Sequence, residues 1–127
     1  MKKIVIVDDE VHIRTLLKQT LEDLEFDFEI EAEIMQARNG REGLEMIIAH
    51  RPDMVFLDVM MPEMNGYEVC EAVRGNDSVS GTVIVMLTAK GQDTDKAKGF
   101  CSGVDHFMTK PFDPDEILAL AGKILGE

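Results

Sequence analysis

Four short apolar runs, each followed by a polar or charged residue, constrain the fold of this chain most strongly. They cover residues 4–7, 54–57, 83–87 and 106–108. Short apolar runs bounded by turn-forming residues are typical of strands that are buried on both faces. The residues that follow them are Asp8-Asp9, Asp58, Thr88 and, after the last run, Lys110.

Segments with helical spacing of apolar residues lie between these runs and indicate amphipathic helices. The first covers roughly residues 10–24, the third begins near Gly66, and the weakly anchored fourth covers residues 92–102. Leu44, Ile47 and Ile48 mark the second. Asp113 is a candidate N-cap for the fifth, with Glu116 placed to complete a capping box. Strands that alternate with helices predict an α/β fold, a parallel sheet covered by helices on both faces.

The most acidic stretch, residues 22–33, has two interpretations. Glu29, Glu31 and Glu33 alternate with apolar residues, which is the period of a half-buried strand, and charges on an edge strand discourage aggregation between sheets. The alternative is an acidic surface that docks a partner. We expect the edge strand.

Polar residues at the strand ends should converge, because the carboxyl ends of parallel strands form the ligand crevice of an open α/β sheet. Asp8, Asp9 and Asp58 would supply the hard oxygen ligands that Mg²⁺ prefers, although Asp8 and Asp9 alone could simply cap the first helix. Lys110 and Thr88 could hold the oxygens of a phosphoryl group while Asp58 attacks it. Taken singly, Thr88 is an ordinary strand-end hydroxyl and Lys110 an ordinary surface lysine.

These motifs, in this order, resemble the response-regulator receiver domain over essentially the whole chain. They are Asp8-Asp9-Glu10 after strand one, Asp58 with Pro62 and Gly66 after strand three, Thr88-Ala89 after strand four and Lys110-Pro111-Phe112 after strand five. The resemblance implies a flavodoxin-like, five-stranded parallel sheet in the order 2-1-3-4-5. It also implies phosphorylation of Asp58 by a histidine kinase or a histidine phosphotransfer protein.

The resemblance assigns further roles around Asp58. Asp8, Asp9, Asp58 and the backbone carbonyl of Met60 would surround Mg²⁺, while Thr88 and Lys110 would contact the phosphoryl oxygens. Phe107 falls at the family's switch position, and the Lys110–Pro111 peptide bond is expected to be cis. Inward movement of Thr88 would let Phe107 turn, changing the surface of the fourth helix, fifth strand and fifth helix that a downstream protein reads.

Two features depart from the family's usual pattern. The segment between the first helix and Asn39 is a few residues longer, so that the first helix or the second strand is extended. Met60 and Lys90 occupy positions that modulate the access of the hydrolytic water, so the lifetime of the phosphorylated state is not predicted.

Composition and length indicate where the protein is located and which classes of partner it can bind. The net charge of −12 argues against nucleic acid as a partner of this chain, and no apolar stretch suits a membrane span or signal peptide, which predicts a cytoplasmic protein. The length predicts a single domain over residues 1–127, and the chain ends directly after the fifth helix, as expected without an output domain. Cys70 and Cys101 lack metal-ligand spacing and are expected to be reduced thiols.

Two other function classes fit the sequence less well. A phosphohydrolase with an aspartyl-phosphate intermediate would commonly carry a general acid two residues after its nucleophile, where this chain has Met60. A flavodoxin-like carrier would need a phosphate-cradling loop after strand one, where acidic residues would repel a flavin phosphate. We therefore expect a signalling module rather than an enzyme.

Overall fold

The sheet of this protein contains five parallel strands in the order β2-β1-β3-β4-β5. The computed structural model describes residues 1–89 and 103–126. Its strands are β1 (Lys2–Val7), β2 (Ala32–Ala37), β3 (Met54–Asp58), β4 (Val83–Ala89) and β5 (His106–Lys110). The predicted parallel sheet and its strand order are confirmed.

Helices cover both faces of the sheet, as predicted. They are α1 (Val11–Glu22), α2 (Leu24–Phe28), α3 (Gly40–His50), α4 (Gly66–Arg74) and α5 (Pro114–Leu125). The helix predicted over residues 92–102 lies outside the described residues, as do Lys90 and Cys101. None of the described helices has the length and apolar composition needed to cross a membrane.

Alternation along the buried strands divides the core into two layers, because successive side chains of a strand point to opposite faces. Val5 and Val55 pack with Ile47 of α3 and Val69 of α4 on one face. The other face holds a second cluster drawn from β1, β3, α1 and α5, which includes Ile4, Phe56, Leu17, Leu21 and Ile117. All of these side chains have 0–1% exposure, so the sheet is the middle layer of three.

The acidic stretch is where the structure departs most from the predicted elements. β2 is an edge strand, as predicted, but it begins at Ala32, so Glu29 and Glu31 precede it. The chain first forms the short helix α2, and Glu29 follows with a left-handed φ of 54°. Leu24 and Phe28, four residues apart, lie on the same side of this helix, and Leu24 is fully buried. The segment between α1 and β2 therefore contains a short helix, and its predicted extra length relative to the family stays a prediction.

Side-chain caps begin α3, α4 and α5, and those of α5 and α4 bear on the predicted capping box. Asp113 accepts a hydrogen bond from the Asp115 backbone N–H, and Pro114 is the first residue of α5. The reciprocal capping box that was predicted for Asp113 and Glu116 is found instead at α4, where Asn65 and Glu68 each accept the other's backbone N–H. Either cap orients a helix whose apolar stripe packs on the sheet.

Candidate functional site

The carboxyl edge of the sheet collects the polar residues predicted to meet there. Asp8 directly follows β1, Asp58 ends β3, and Lys110 ends β5. Thr88 lies within β4, which extends two residues beyond the predicted strand, and pairs with Thr109. Asp8 and Thr88 are fully buried and Asp58 is 5% exposed, so the parallel register places three polar side chains inside the protein.

Lys110 is the cation that links the acidic residues of this edge. Its Nζ lies 2.9 Å from Oδ2 of Asp8, 3.3 Å from Oδ1 of Asp58 and 3.5 Å from Oε1 of Glu10. The Lys110 side chain is 17% exposed. A lysine so placed offsets part of the repulsion between buried carboxylates.

Two residues to which sequence reasoning assigned no role in the site hold Asp8 in place. The Glu10 backbone N–H donates to Oδ1 of Asp8 at 2.9 Å, and this turn brings the Glu10 carboxylate back toward the site. Arg14 on α1 donates from Nη1 to the Asp8 carbonyl at 2.8 Å. The position of Glu10 directly after Asp8-Asp9 could have indicated its role. For Arg14, the sequence offers only the helical spacing from Glu10.

The loop between β3 and α4 is packed against the backbone of Asp58. The Val59 N–H donates to the Leu87 carbonyl at 3.1 Å, and the Gly66 N–H donates to the Val59 carbonyl at 3.0 Å. A Cβ added at Gly66 would lie 2.4 Å from the carbonyl oxygen of Asp58 and 2.8 Å from Sδ of Met86. Only glycine fits this close approach of the loop to the Asp58 backbone.

Burial perturbs the carboxyl groups of the site. It raises the pKa of Asp58 from its ordinary value to about 7, and the nearby Asp8 carboxylate adds to this effect while Lys110 opposes it. Burial also raises the pKa of Asp8. For Lys110, burial disfavours the charged form, but the hydrogen bond to Asp8 and the charges of Asp58 and Asp8 together raise its pKa. The site therefore favours additional positive charge beside Asp58.

The remaining predicted residues lie around this centre. The Thr88 hydroxyl is buried and, within residues 1–89 and 103–126, has no hydrogen-bond partner. Phe107 is half-buried and packs against the core cluster on the α3–α4 face. Met60 is 63% exposed. The Lys110–Pro111 peptide bond is cis.

A cleft of about 200 Å³ opens beside Asp58 and could hold a small anion with a cation. It is lined by Asp9, Glu10, Asp58, Met60, Ala89 and Lys110. Carboxylate oxygens of Asp8, Asp9 and Glu10 lie within 4.8 Å of one another. This all-oxygen donor set suits a hard divalent cation, and Asp58 adjoins it across Lys110 rather than lying inside it.

The chain is similar to response regulators in sequence and in structure. The sequence model of the family described as "Response regulator receiver domain" matches residues 4–121 of this chain. The chemotaxis response regulator CheY4 of Vibrio cholerae is 34% identical, with a TM-score of 0.86, over 98% of this chain and 99% of that one.

Longer curated proteins also match. The alkaline phosphatase synthesis transcriptional regulatory protein PhoP of Bacillus subtilis is 41% identical over 98% of this chain and 48% of its own length. The DNA-binding dual master transcriptional regulator RpaA of Synechocystis sp. is 37% identical over 98% of this chain and 49% of its own length. The chain thus spans about half the length of these relatives.

Proposed function

This chain belongs to the response regulator receiver domain family, and on that premise we propose that Asp58 accepts a phosphoryl group from a phosphohistidine of a histidine kinase or a histidine phosphotransfer protein. The observation that carries the proposal is the placement of Asp58. It is a buried carboxylate at the end of β3 that borders a small cleft, with the Lys110 ammonium 3.3 Å away.

The transfer itself is a simple displacement. An Asp58 carboxylate oxygen attacks phosphorus, the P–N bond to the donor's imidazole breaks, the leaving ring nitrogen takes up a proton, and an acyl phosphate remains on Asp58. The attacking group must be ionised, so the raised pKa of Asp58 makes a neighbouring cation useful near neutral pH.

Magnesium fits the acidic residues beside Asp58. We propose Asp8, Asp9, Asp58 and the backbone carbonyl of Met60 as its ligands, and the position of Glu10 adds a further carboxylate to the set. When bound, Mg²⁺ supplies positive charge that offsets the charge on the phosphoryl oxygens during in-line transfer. The carboxylates orient the site and keep it selective for hard cations.

Lys110 and Thr88 would recognise the phosphoryl oxygens. Lys110 already lies between Asp8 and Asp58, so a new anion on Asp58 competes for an ammonium that is in place. The Thr88 hydroxyl is buried in the strand next to Asp58 and can donate to a phosphoryl oxygen.

The signal would leave the site through Phe107 and the surface beside it. Phe107 lies on β5, the neighbour of the strand that carries Thr88, and it is half-buried, so a turn of its ring into the core would change the exposed surface. We propose that phosphorylation changes the surface of β5, α5 and residues 92–102, and with it the affinity for a downstream protein. Residues 92–102 lie outside the described part of the chain.

This role is that of a regulator in the cytoplasm rather than an enzyme or a nucleic-acid-binding module. The matched relatives are transcriptional and chemotaxis regulators. A phosphohydrolase would need an acid where Met60 lies, and a thioether transfers no proton. The net charge of −12 repels a phosphate backbone.

The test is a measurement of intact mass after incubation with Mg²⁺ and acetyl phosphate. We expect a single phosphoryl adduct on the native chain that requires Mg²⁺ and is absent from Asp58→Asn. Asp77→Asn is the matched control, since Asp77 is an exposed carboxylate outside the cleft, and it should form the adduct normally. Absence of any adduct, together with failure to bind beryllofluoride, would reject the proposal.

A further inference from the structure

The surface of α2 combines acidic charge with exposed aromatic rings. Residues 22–33 contain seven Asp and Glu residues and no Lys or Arg. Phe26 is 88% exposed and Phe28 is 42% exposed. We name this region, residues 22–31 with both phenylalanines, the α2 surface. Two exposed aromatic side chains so close in the chain form an apolar patch, and exposed apolar patches rimmed by polar residues mark interaction sites.

The charges of the α2 surface do not protect the edge of the sheet. Of the seven acidic residues, only Glu33 lies in β2, because the strand begins at Ala32. The others lie on the end of α1, on α2 and in the following turn, and all are exposed. The edge-strand interpretation therefore leaves most of this charge without a structural role.

The α2 surface has a fixed support. Leu24 is fully buried in the core of the α1–α5 face. Phe28 lies over α5, where a Cβ added at Gly122 would be 2.6 Å from its ring. A cleft of about 720 Å³, lined in part by Phe28, Ile30 and Leu125, opens beside it. The aromatic rings are thus presented by a short helix anchored at both ends, next to an open cleft that charged residues such as Glu29 and Glu31 also line.

We propose that the α2 surface binds a basic amphipathic segment of a partner protein. Lys or Arg side chains of such a segment would pair with Glu25, Asp27 and their acidic neighbours, while its apolar side chains cover Phe26 and Phe28. Charge complementarity selects this occupant over others. Nucleic acid and anionic membranes are repelled, and a second copy of this chain would place like-charged surfaces together.

Binding at the α2 surface is independent of the proposed phosphoryl transfer. The cleft beside Phe28 is lined by Lys2 at the start of β1, whereas Asp8 follows the end of that strand. At roughly 3.3 Å per residue, β1 separates the two sites by about 20 Å. The α2 surface would hold a partner in both phosphorylation states, and the surface of β5 and α5 would respond to the state of Asp58.

The test uses a synthetic amphipathic peptide of about 18 residues, roughly five helical turns, with Lys on one face and Leu on the other. A peptide of the same composition, shuffled so that no apolar face forms, controls for attraction by net charge. Fluorescence anisotropy near physiological ionic strength measures binding to the full chain. Phe26→Ser removes the exposed ring, and Val11→Ser is the matched control, because Val11 is 64% exposed on α1 outside the α2 surface.

We expect Phe26→Ser to weaken binding of the amphipathic peptide about tenfold or more, as for a central aromatic of an interface. Glu25→Gln should weaken it less, and beryllofluoride should leave it unchanged. Equal binding of the shuffled peptide, or an equal loss in Val11→Ser and Phe26→Ser, would overturn the proposal. A dimer that sedimentation equilibrium detects and Phe26→Ser removes would also overturn it, in favour of a second copy.

Discussion

Acidic side chains are buried at one end of the sheet and exposed at the other. At the carboxyl edge, Asp8 and Asp58 are buried and form ion pairs with Lys110. A Cβ added at Gly66 in this site would clash with the backbone of Asp58. At the amino edge, the acids of the α2 surface are exposed, and a Cβ added at Gly81, just before β4, would meet nothing within 4 Å.

This difference shows that the number of acidic residues in a region says little about its chemistry. Exposed carboxylates are solvated and cost little, so they can serve long-range attraction and docking. Buried carboxylates that repel one another bind a proton or a cation more tightly, because each raises the free energy of its charged neighbour. Burial therefore separates the site proposed for phosphoryl transfer from the surface proposed for docking.

Adding one methyl group at each edge of the sheet tests most directly whether the two edges differ in packing. Gly66→Ala should lower the free energy of unfolding by about 3 kcal/mol, because its Cβ would overlap the Asp58 carbonyl oxygen. Gly81→Ala should change it by less than about 1 kcal/mol. Urea denaturation monitored by circular dichroism measures both. Similar losses in the two variants would show that the edges are packed alike.

Neutralising the central carboxylate should stabilise the protein when Mg²⁺ is absent. We expect Asp58→Asn to raise the free energy of unfolding at pH 8 by about 2 kcal/mol, roughly half of what the pKa difference converts to, because water reaches the cleft. The folded-state pKa of Asp58, about 7, lies above its ordinary value. The folded state therefore binds the proton more tightly, and stability of the native chain should fall as the pH rises from about 4 to 8.

Urea titrations across this pH range, with chelator and with saturating Mg²⁺, measure the effect. In Asp58→Asn most of the fall in stability should disappear, and Mg²⁺ should stabilise the native chain more than the variant. A variant less stable than the native chain at pH 8 without Mg²⁺ would contradict the expectation that burial of this charge is unfavourable.

The contribution of Glu10 to Mg²⁺ affinity can be separated from the effect of the protein's net charge. Glu10→Gln keeps the shape of the side chain but removes a carboxylate that lies within 4.8 Å of those of Asp8 and Asp9. We expect the Mg²⁺ dissociation constant to rise about tenfold, as for a residue that supports a metal site. Glu71→Gln, an exposed change on α4, is the control for net charge. Isothermal titration calorimetry measures both dissociation constants. Equal changes in the two variants would show that Glu10 affects Mg²⁺ affinity only through the net charge of the protein.

The smallest expected effect is at the amino edge. Glu25→Gln should change the free energy of unfolding by less than about 0.5 kcal/mol and leave Mg²⁺ affinity unaltered, because Glu25 is solvated and far from the cleft. Urea denaturation and calorimetry, run beside Asp58→Asn, check both quantities. A stability change as large as that of Asp58→Asn would remove the distinction between the two edges.

The sequence predicted the sheet and the convergence of Asp8, Asp58, Thr88 and Lys110 because both depend on local features. Buried strands read as apolar runs, and the parallel arrangement brings their ends together. The short helix α2 was missed because acidic and apolar residues that alternate resemble a strand. What makes it a helix is packing of Leu24 and Phe28 against the core and α5, a contact between distant segments.

Glu10 was named in the motif after strand one but was assigned no role in the site, for a related reason. Its side chain approaches the site only because its own backbone N–H bonds to Asp8, and this turn is not visible as a periodic pattern. The predicted roles of Thr88, Phe107 and the Met60 carbonyl remain predictions, since burial and position place these residues near the site without showing what they bind.

The ion pair between Lys110 and Asp8 joins residues 102 positions apart in the chain. Contacts between such distant segments form only after most of the intervening chain has been organised, because closing a long loop costs entropy. A partly folded chain emerging from the ribosome would hold Asp8, Asp9 and Asp58 without the lysine that completes their site. Under the proposed function, competence to accept a phosphoryl group would thus be a property of the finished fold, which incompletely folded molecules lack.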